Sequence, residues 1–372
     1  MIRLSKSTIT NREKKSVVKV LDDEFLGMGK QVKLFEYNLS KYIGREAVCV
    51  SSGTAALHLA CQSIGLKKGD EVLVQSITYI SSFQAISATG AVPVPCEINK
   101  KNLTIDLKDA SKKITKKTKA IMPVHYAGGV GDLKSIYKFA KKYKLRVIED
   151  AAHAFGSIYN KTKVGSFGDI VCFSFDGIKN ITCGEGGAIF SKDKKVLEHV
   201  KTARLLGVKK DSNKRYRNKR TIDTEVDFQG WRYHMSNINA AIGLEQLKKI
   251  KFIEKKRKSL AKFYDQNLQE IKNVESFSQN YNDVLPHIFP VLFSNNQIRN
   301  KIRDELKNSG IETGLHYKPN HLLKFYNSNN KLKISEDIYK RILTLPLHID
   351  LTYRDIEKIC KIIRNKIPKI IK

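Results

Sequence analysis

The chain has 372 residues, 41% of them hydrophobic, which is enough to bury a sizeable core and to form two domains. It lacks the apolar core of a signal peptide near its start, and no window approaches the roughly 18 uninterrupted apolar residues of a membrane span, so we expect a soluble, cytoplasmic protein. The net charge of +31 comes mostly from lysines spread along helical stretches, and no zinc-finger, RNP or basic-zipper pattern accompanies it, which disfavours nucleic-acid binding.

Short apolar runs alternate with helix-like segments over the first half of the chain. Apolar strands that are buried on both faces and alternate with helices are typical of an α/β domain with a mainly parallel central sheet flanked by helices. Seven strands are predicted, at residues 47–50, 71–75, 92–98, 119–125, 145–150, 170–175 and 187–190. Polar or glycine-containing motifs follow four of them (SSGT, HYAGG, EDAAH and SFDGIK), at the strand ends where such sheets bind ligands.

The second half predicts a smaller unit. A single long helix is predicted over residues 236–268, and such a helix commonly bridges a large domain to a small one. A strand at 287–293, a helix at 298–310 and a C-terminal helix then suggest a compact α/β module. We therefore expect an N-terminal arm and large domain over residues 1–245, and the bridging helix with a small C-terminal α/β domain over residues 246–372.

Two strand ends carry residues with chemical potential. In SSGTAALHL, Gly53 lets the backbone approach an anion, and the start of the following helix offers free N–H groups to a phosphate, although Ser and Thr are also ordinary helix caps. In VIEDAAHAFGS, Asp150 ends an apolar strand, where a carboxylate either caps the next turn, forms an ion pair or holds a ligand. His153 by itself would be a polar residue near the surface.

The stretch FSFDGIKNITCGEGG adds a serine and a lysine. Ser174 ends a strand, Lys179 follows five residues later, and GEGG makes a tight turn into the next strand, so the lysine lies on a loop held at both ends. A loop at an apolar strand end can depress the pKa of an amine, and only the deprotonated amine attacks an aldehyde. A phosphate turn, a strand-end aspartate and such a lysine are together what pyridoxal phosphate requires.

At this point the sequence resembles the DegT/DnrJ/EryC1/StrS family of sugar aminotransferases, which have the aspartate aminotransferase fold. Eight ordered blocks carry the resemblance over nearly the whole chain: GMGKQVKLFE, VSSGTAALHLA, TKAIMPVHYAGGVGDL, VIEDAAHAFGS, FSFDGIKNITCGEGG, GWRYHMSNINAAIGLEQL, GLHYKP and LTLPLHIDLT. The resemblance implies pyridoxal phosphate as cofactor and a homodimer whose sites lie at the subunit interface.

The resemblance also implies roles for individual residues. Lys179 would bond the cofactor and carry the proton to the sugar carbon, Asp150 would pair with the pyridine nitrogen, and His153 would contact the ring hydroxyl. The phosphate would be held by Gly53, Thr54 and Ser174, the ring would stack on Tyr79, and His316 and Tyr317 would line the sugar pocket.

Three positions depart from the family pattern. Arg232 replaces an asparagine that reaches the partner subunit's cofactor phosphate, so it would make that contact or turn to the substrate diphosphate. His234 replaces a common arginine, and Cys183 stands where Thr or Ser is usual, which puts a hydroxyl contact near the lysine in doubt. The six cysteines show no metal-ligand spacing, and we expect buried free thiols and no metal site.

The family implies a nucleotide-linked keto-sugar, usually a 4-keto-6-deoxyhexose or a 3-keto relative, that is aminated by L-glutamate for a surface polysaccharide such as O-antigen or another glycan. Seven basic residues among the twelve at 209–220 would hold the diphosphate or form a solvated loop. One alternative is a dehydratase of the same fold, in which a histidine stands at the position of Lys179. Another is a non-catalytic regulator, which has no reason to retain Lys179, Asp150 and Ser174 together.

Overall fold

The computed structural model describes residues 1–209, 211–219, 225–277, 279–327 and 330–371. Its strands, in chain order, are β1 (Ala47–Val50), β2 (Glu71–Gln75), β3 (Val92–Cys96), β4 (Thr118–Met122), β5 (Arg146–Asp150), β6 (Ile158–Tyr159), β7 (Thr162–Lys163), β8 (Ile170–Ser174), β9 (Gly187–Ser191), β10 (Val274–Ser276), β11 (Phe289–Phe293) and β12 (Ile342–Leu345). Seven of these form one sheet in the order β1-β9-β8-β5-β4-β2-β3, while β6 and β7 pair as a short hairpin.

The α-helices surround this framework. In chain order they are α1 (Asn11–Asp22), α2 (Lys30–Ile43), α3 (Gly53–Ser63), α4 (Ile80–Ser87), α5 (Leu107–Lys112), α6 (Leu133–Tyr143), α7 (Lys194–Ala203), α8 (Asp211–Arg215), α9 (Asn237–Lys248), α10 (Ile250–Leu268), α11 (Asn296–Asn308), α12 (Lys333–Arg341) and α13 (Tyr353–Ile371). Short 3₁₀ turns occupy Tyr126–Gly128, Asn320–Leu322 and Lys324–Tyr326. Among the described helices, none combines the length and apolar character needed to cross a membrane.

The seven-stranded sheet is mainly parallel, as the sequence predicts. β2, β3, β4, β5 and β8 pair in parallel, and β9 runs antiparallel to both of its neighbours. Both faces of the sheet are covered: in β1, Ala47 and Cys49 join one hydrophobic cluster while Val48 and Val50 join the cluster on the other face. This two-sided burial explains why the strands appear in the sequence as continuous apolar runs.

A second, smaller unit follows α10. β10, β11 and β12 form an antiparallel three-stranded sheet, and its core contains residues of α10, α11 and α13. The start of the chain joins this unit, since Ile2 forms a bridge with Ile311 and Leu347 N donates to Leu4 O. The first residues of the predicted large domain therefore pack on the small one. The division at residue 246 otherwise remains our proposal.

The prediction of a single helix over residues 236–268 is wrong, because two helices separated at Lys249 occupy this range. Lys249 has φ −95° and ψ 2°, outside the helical region, and separates α9 from α10. The break lets Leu247 and Ile250 pack into the core of the large unit while residues from Leu260 onward pack into that of the small one. Since no glycine or proline occurs there, the sequence carries no signal for the break.

A buried ion pair ties α2 to the segment after α7. Arg204 is fully buried, and its Nη1 donates to Glu36 Oε1 at 2.6 Å and to Cys49 O at 2.5 Å. Tyr216 Oη accepts from Arg204 Nη2 and donates to Glu36 Oε2, both at 2.6 Å. Since both charges are hydrogen-bonded, removal of one of them leaves the other buried and unpaired.

We expect Arg204→Met to destabilise the protein by about 3–5 kcal/mol, because Glu36 would remain buried without its cation. Denaturant unfolding of the cofactor-free protein measures this loss. The control is Arg303→Met, since the pair of Arg303 with Asp304 is exposed and such pairs contribute at most about 1 kcal/mol. Equal effects of the two substitutions would contradict the assignment.

Candidate functional site

A cavity of about 420 Å³ lies at the carboxyl ends of the parallel strands. Nine of the residues predicted from the sequence line it: Gly53, Thr54, Tyr79, Asp150, His153, Ser174, Lys179, His316 and Tyr317. A larger groove of about 990 Å³ lies elsewhere, between α1, α2 and α9, and contains none of these residues. The smaller cavity is therefore the candidate site, because it, unlike the larger groove, unites the chemically useful groups.

One wall of the cavity is the start of α3. Ser52 caps this helix, with its side chain accepting from Ala55 N at 3.1 Å, and Gly53 and Thr54 follow at the cavity surface. The first turn of a helix presents backbone N–H groups that suit an anion. A Cβ on Gly53 would lie 2.7 Å from Cβ of Ser174, so only glycine lets the turn and this serine approach so closely.

The carboxylate of Asp150 lies at the end of β5 and is almost fully buried. Its Oδ2 accepts from Ser82 Oγ at 2.6 Å and its Oδ1 accepts from Ala152 N at 3.2 Å. Thr78 Oγ1 is in turn 2.9 Å from Ser82 Oγ. These bonds fix the carboxylate as a hydrogen-bond acceptor at the cavity floor.

Lys179 lies on the loop between β8 and β9. Its backbone N–H donates to Asp176 O at 3.1 Å, and its side chain is closely surrounded by protein while part of it stays open to the cavity. Burial lowers the pKa of the Lys179 amine, and the nearby Asp176 and Asp150 carboxylates oppose this only in part. The uncharged, nucleophilic amine is thereby favoured.

His153 and Tyr317 form the opposite wall. Ala127 N donates to His153 Nδ1 at 3.3 Å, which places the ring proton on Nε2, 3.1 Å from Tyr317 Oη. Tyr126 Oη donates to His316 O, and His316 Nδ1 lies 2.9 Å from Thr344 Oγ1. Burial, reinforced by the Lys179 charge, lowers the pKa of His153 well below its usual value and that of His316 to about 4.

Sequence reasoning missed His287. Its Nε2 lies 3.5 Å from Lys179 Nζ, and its ring centroid lies 4.4 Å from that of His153. The sequence shows His287 only as the first residue of an apolar run, HIFPVLF, which predicts a strand. No local signal relates it to a loop more than 100 residues earlier.

The three departures from the family pattern lie outside the cavity lining. Arg232 is exposed, pairs through its backbone with Leu205, and does not line the cavity of its own subunit. His234 is half-buried, and burial together with neighbouring arginines lowers its pKa to about 4. Cys183 is fully buried in the core beside Gly243, so its thiol faces away from the cavity.

The described residues of the basic cluster at 209–220 do not line the cavity of their own subunit either. Lys210 and Arg220 lie outside the described residues. Arg215 Nε donates to Asp211 Oδ2 at 2.5 Å, and Lys209 Nζ lies 3.7 Å from Asp227. Part of the cluster's charge is thus paired within the chain. Within the described ranges, no group of His, Cys, Asp and Glu side chains could hold a metal ion.

Comparison with known proteins gives a family match over most of the chain. A family model described as the DegT/DnrJ/EryC1/StrS aminotransferase family matches residues 7–364. An uncharacterised protein from Methanocaldococcus jannaschii is 34% identical over 358 residues, which cover 94% of this chain and 93% of that protein.

Two solved structures are similar over their whole length. PseC from Helicobacter pylori, an aminotransferase involved in the biosynthesis of pseudoaminic acid, is 29% identical with a TM-score of 0.91 and 99% coverage of both chains. The PMP-form of Spr1654 from Streptococcus pneumoniae is 28% identical with a TM-score of 0.93 and 100% coverage of both chains, and that protein has also been solved in a PLP-form.

We expect Lys179→Met to stabilise the cofactor-free protein near pH 7. A lysine whose pKa is lowered on folding destabilises the fold fully below the folded-state pKa and ceases to do so above the ordinary value of 10.5. The gain in unfolding free energy should therefore shrink as the pH rises towards 10.5, as denaturant titrations across this range would show. The exposed Lys195→Met is the control, and a gain independent of pH would contradict this reading.

Proposed function

This chain belongs to the DegT/DnrJ/EryC1/StrS aminotransferase family and is a transaminase that uses pyridoxal phosphate, and from this we propose that it moves an amino group from L-glutamate to a nucleotide-linked keto-deoxysugar. The acceptor in this proposal is a 4-keto-6-deoxyhexose or its 3-keto isomer. The product would enter a surface polysaccharide or another glycan, and the reaction would take place in the cytoplasm.

The residues of the cavity fit the cofactor. The N-terminus of α3 with Gly53, Thr54 and Ser174 offers a cradle for a phosphate, with no side chain on Gly53 to obstruct it. Asp150 supplies a fixed carboxylate, and Lys179 supplies an amine of lowered pKa. Pyridoxal phosphate contributes an aldehyde and a ring that withdraws electrons from the substrate carbon when its nitrogen is protonated.

Each residue then has a defined task. Asp150, held by Ser82 and Ala152, keeps a proton on the ring nitrogen. Lys179 carries a proton to and from the carbon that gains or loses the amino group, and its lowered pKa favours the uncharged amine that can accept this proton. Tyr79, whose exposed ring lines the cavity, would pack against the cofactor ring.

The wall formed by His316 and Tyr317 suits the sugar. His316 and Tyr317 face the cavity with polar groups, and the imidazole of His316 stays neutral because burial lowers its pKa to about 4. Neutral hydroxyl and imidazole groups recognise sugar hydroxyls by hydrogen bonding, whereas the diphosphate needs cations. We assign that task to Arg232 and the basic cluster at 209–220, acting at the partner's site.

The observation that carries the proposal is the amine of Lys179, lowered in pKa and open to the same cavity as the carboxylate of Asp150. The purified protein should be yellow with added pyridoxal phosphate and should lose this absorbance with L-glutamate. A panel of nucleotide 4-keto- and 3-keto-6-deoxysugars, analysed by mass spectrometry, should then show a mass change for replacement of one carbonyl oxygen by an amino group.

Lys179→Ala should lower turnover by at least about 10²-fold, since the proton carrier is lost. Lys195→Ala, an exposed lysine of α7, is the matched control and should leave turnover unchanged. A protein that stays colourless with the cofactor, or a Lys179→Ala variant with full turnover, would refute the transaminase chemistry. Colour with no amination of any sugar in the panel would refute only the choice of substrate.

We also propose a homodimer in which Arg232 completes the partner's site. The side chain of Arg232 is exposed and lies outside the cavity of its own subunit, so an action at a site requires a second copy. The variants Lys179→Ala and Arg232→Ala should each have reduced turnover when expressed alone. Co-expressed, they should recover about a quarter of wild-type turnover, because about half of the dimers are mixed and each has one intact site. No recovery over the separate variants would contradict sharing of the site.

A further inference from the structure

His287 is a buried histidine that faces the amine of Lys179. It is 3% exposed and lies in the segment between β10 and β11, far along the chain from the loop that carries the lysine. Its Nε2 is 3.5 Å from Lys179 Nζ. This is the outer limit of a hydrogen bond, at a distance that a small movement of the flexible lysine side chain would shorten.

The backbone of His287 is held from both sides. His287 N donates to Ala127 O at 3.0 Å, and Arg257 Nη1 donates to His287 O at 3.0 Å. Arg257 is fully buried in α10 and also reaches Pro286 O and Leu347 O, both at 3.3 Å. The imidazole packs against His153. The hydrogen bonds hold the backbone of His287, and burial beside His153 restrains its ring.

The ring is uncharged where it lies. Burial lowers the pKa of His287 well below its usual value, and the charges of Lys179 and Arg257 act in the same direction. A neutral imidazole has one nitrogen that accepts a hydrogen bond. The nitrogen that faces Lys179 is Nε2, and an ammonium group only donates, so towards the protonated lysine Nε2 is the acceptor and the ring proton lies on Nδ1, which has no hydrogen-bond partner among the described residues.

We propose that His287 is a positioning residue for Lys179, whose amine donates a hydrogen bond to His287 Nε2 whenever it is not bonded to the cofactor. The amine has an N–H to donate both as ammonium and as free amine, so a single tautomer of His287 serves in both states. Because the histidine stays neutral, it does not take the proton that Lys179 must deliver. This inference rests on the transaminase function proposed above.

Other charged and titratable groups also act on this pair. Asp150 and Asp176 raise the pKa of the lysine, while the charge of Lys179 lowers the pKa of each neighbouring histidine; the groups that face the pair are Asp150, Asp176, His153, His316 and Arg257. All of them remain when His287 alone is replaced. A change in the titration of Lys179 in such a variant therefore reports the loss of the acceptor.

The test measures the titration of Lys179 in the cofactor-free full-length protein, from the pH dependence of its acetylation by limiting acetic anhydride, followed by mass spectrometry. His287→Phe keeps a ring beside His153 and removes the acceptor. It should shift the midpoint for Lys179 about one pH unit lower, because the ammonium form loses a charge-assisted hydrogen bond. His287→Gln, which keeps an acceptor, should restore much of the wild-type midpoint.

His348→Phe is the matched control, since His348 is a buried histidine that does not line the cavity, and it should leave the midpoint of Lys179 unchanged. His287→Leu also lacks an acceptor, so either folded variant decides the question. An unshifted midpoint in these variants, or an equal shift in His348→Phe, would overturn the proposal. The labelling needs no sugar, so failure of the substrate assignment would appear separately, as absent amination.

Discussion

The parallel pairing of β5 with β8 is the constraint on which the site depends. Asp150 lies opposite Cys172 in this pair, so the last residues of the two strands, Asp150 and Ser174, reach the same edge of the sheet. β9 then returns antiparallel beside β8, which turns the loop carrying Lys179 back over that edge. A shift of one residue in this register would turn the strand side chains to the opposite faces of the sheet and remove the carboxylate from the cavity.

Burial determines which form of Lys179 is favoured, although the chain carries a net charge of +31. Two carboxylates near Lys179 favour its charged form, yet the pKa of the amine is lowered, so desolvation outweighs their attraction. The burial of Lys179 also lowers the free energy of unfolding, because the folded protein holds a poorly solvated amine. Networks such as that of Arg204 with Glu36 and Tyr216 lie outside the cavity and can offset this cost without touching the reacting groups.

The sequence predicts the large sheet and the strand-end residues well because both follow from local patterns. Apolar runs locate the strands, and polar residues at their carboxyl ends locate Gly53, Asp150 and Ser174. The break at Lys249 and the position of His287 have no such local signal, since each is set by packing between units distant in sequence. Likewise, the sequence identified Cys183 as unusual, but only the structure shows that its thiol packs into the core.

The residues of the site come from two parts of the fold. Groups that suit the cofactor come from strand ends of the large sheet, where a change of register would disturb the whole domain. His316 and Tyr317 lie on a segment anchored to the small sheet, since Gly314 bridges Thr344, whose hydroxyl contacts His316. That segment takes no part in the pairing of β5 with β8. In the function that we propose, substitutions in the small unit can therefore change the choice of sugar while Lys179, Asp150 and the proposed phosphate cradle stay in place.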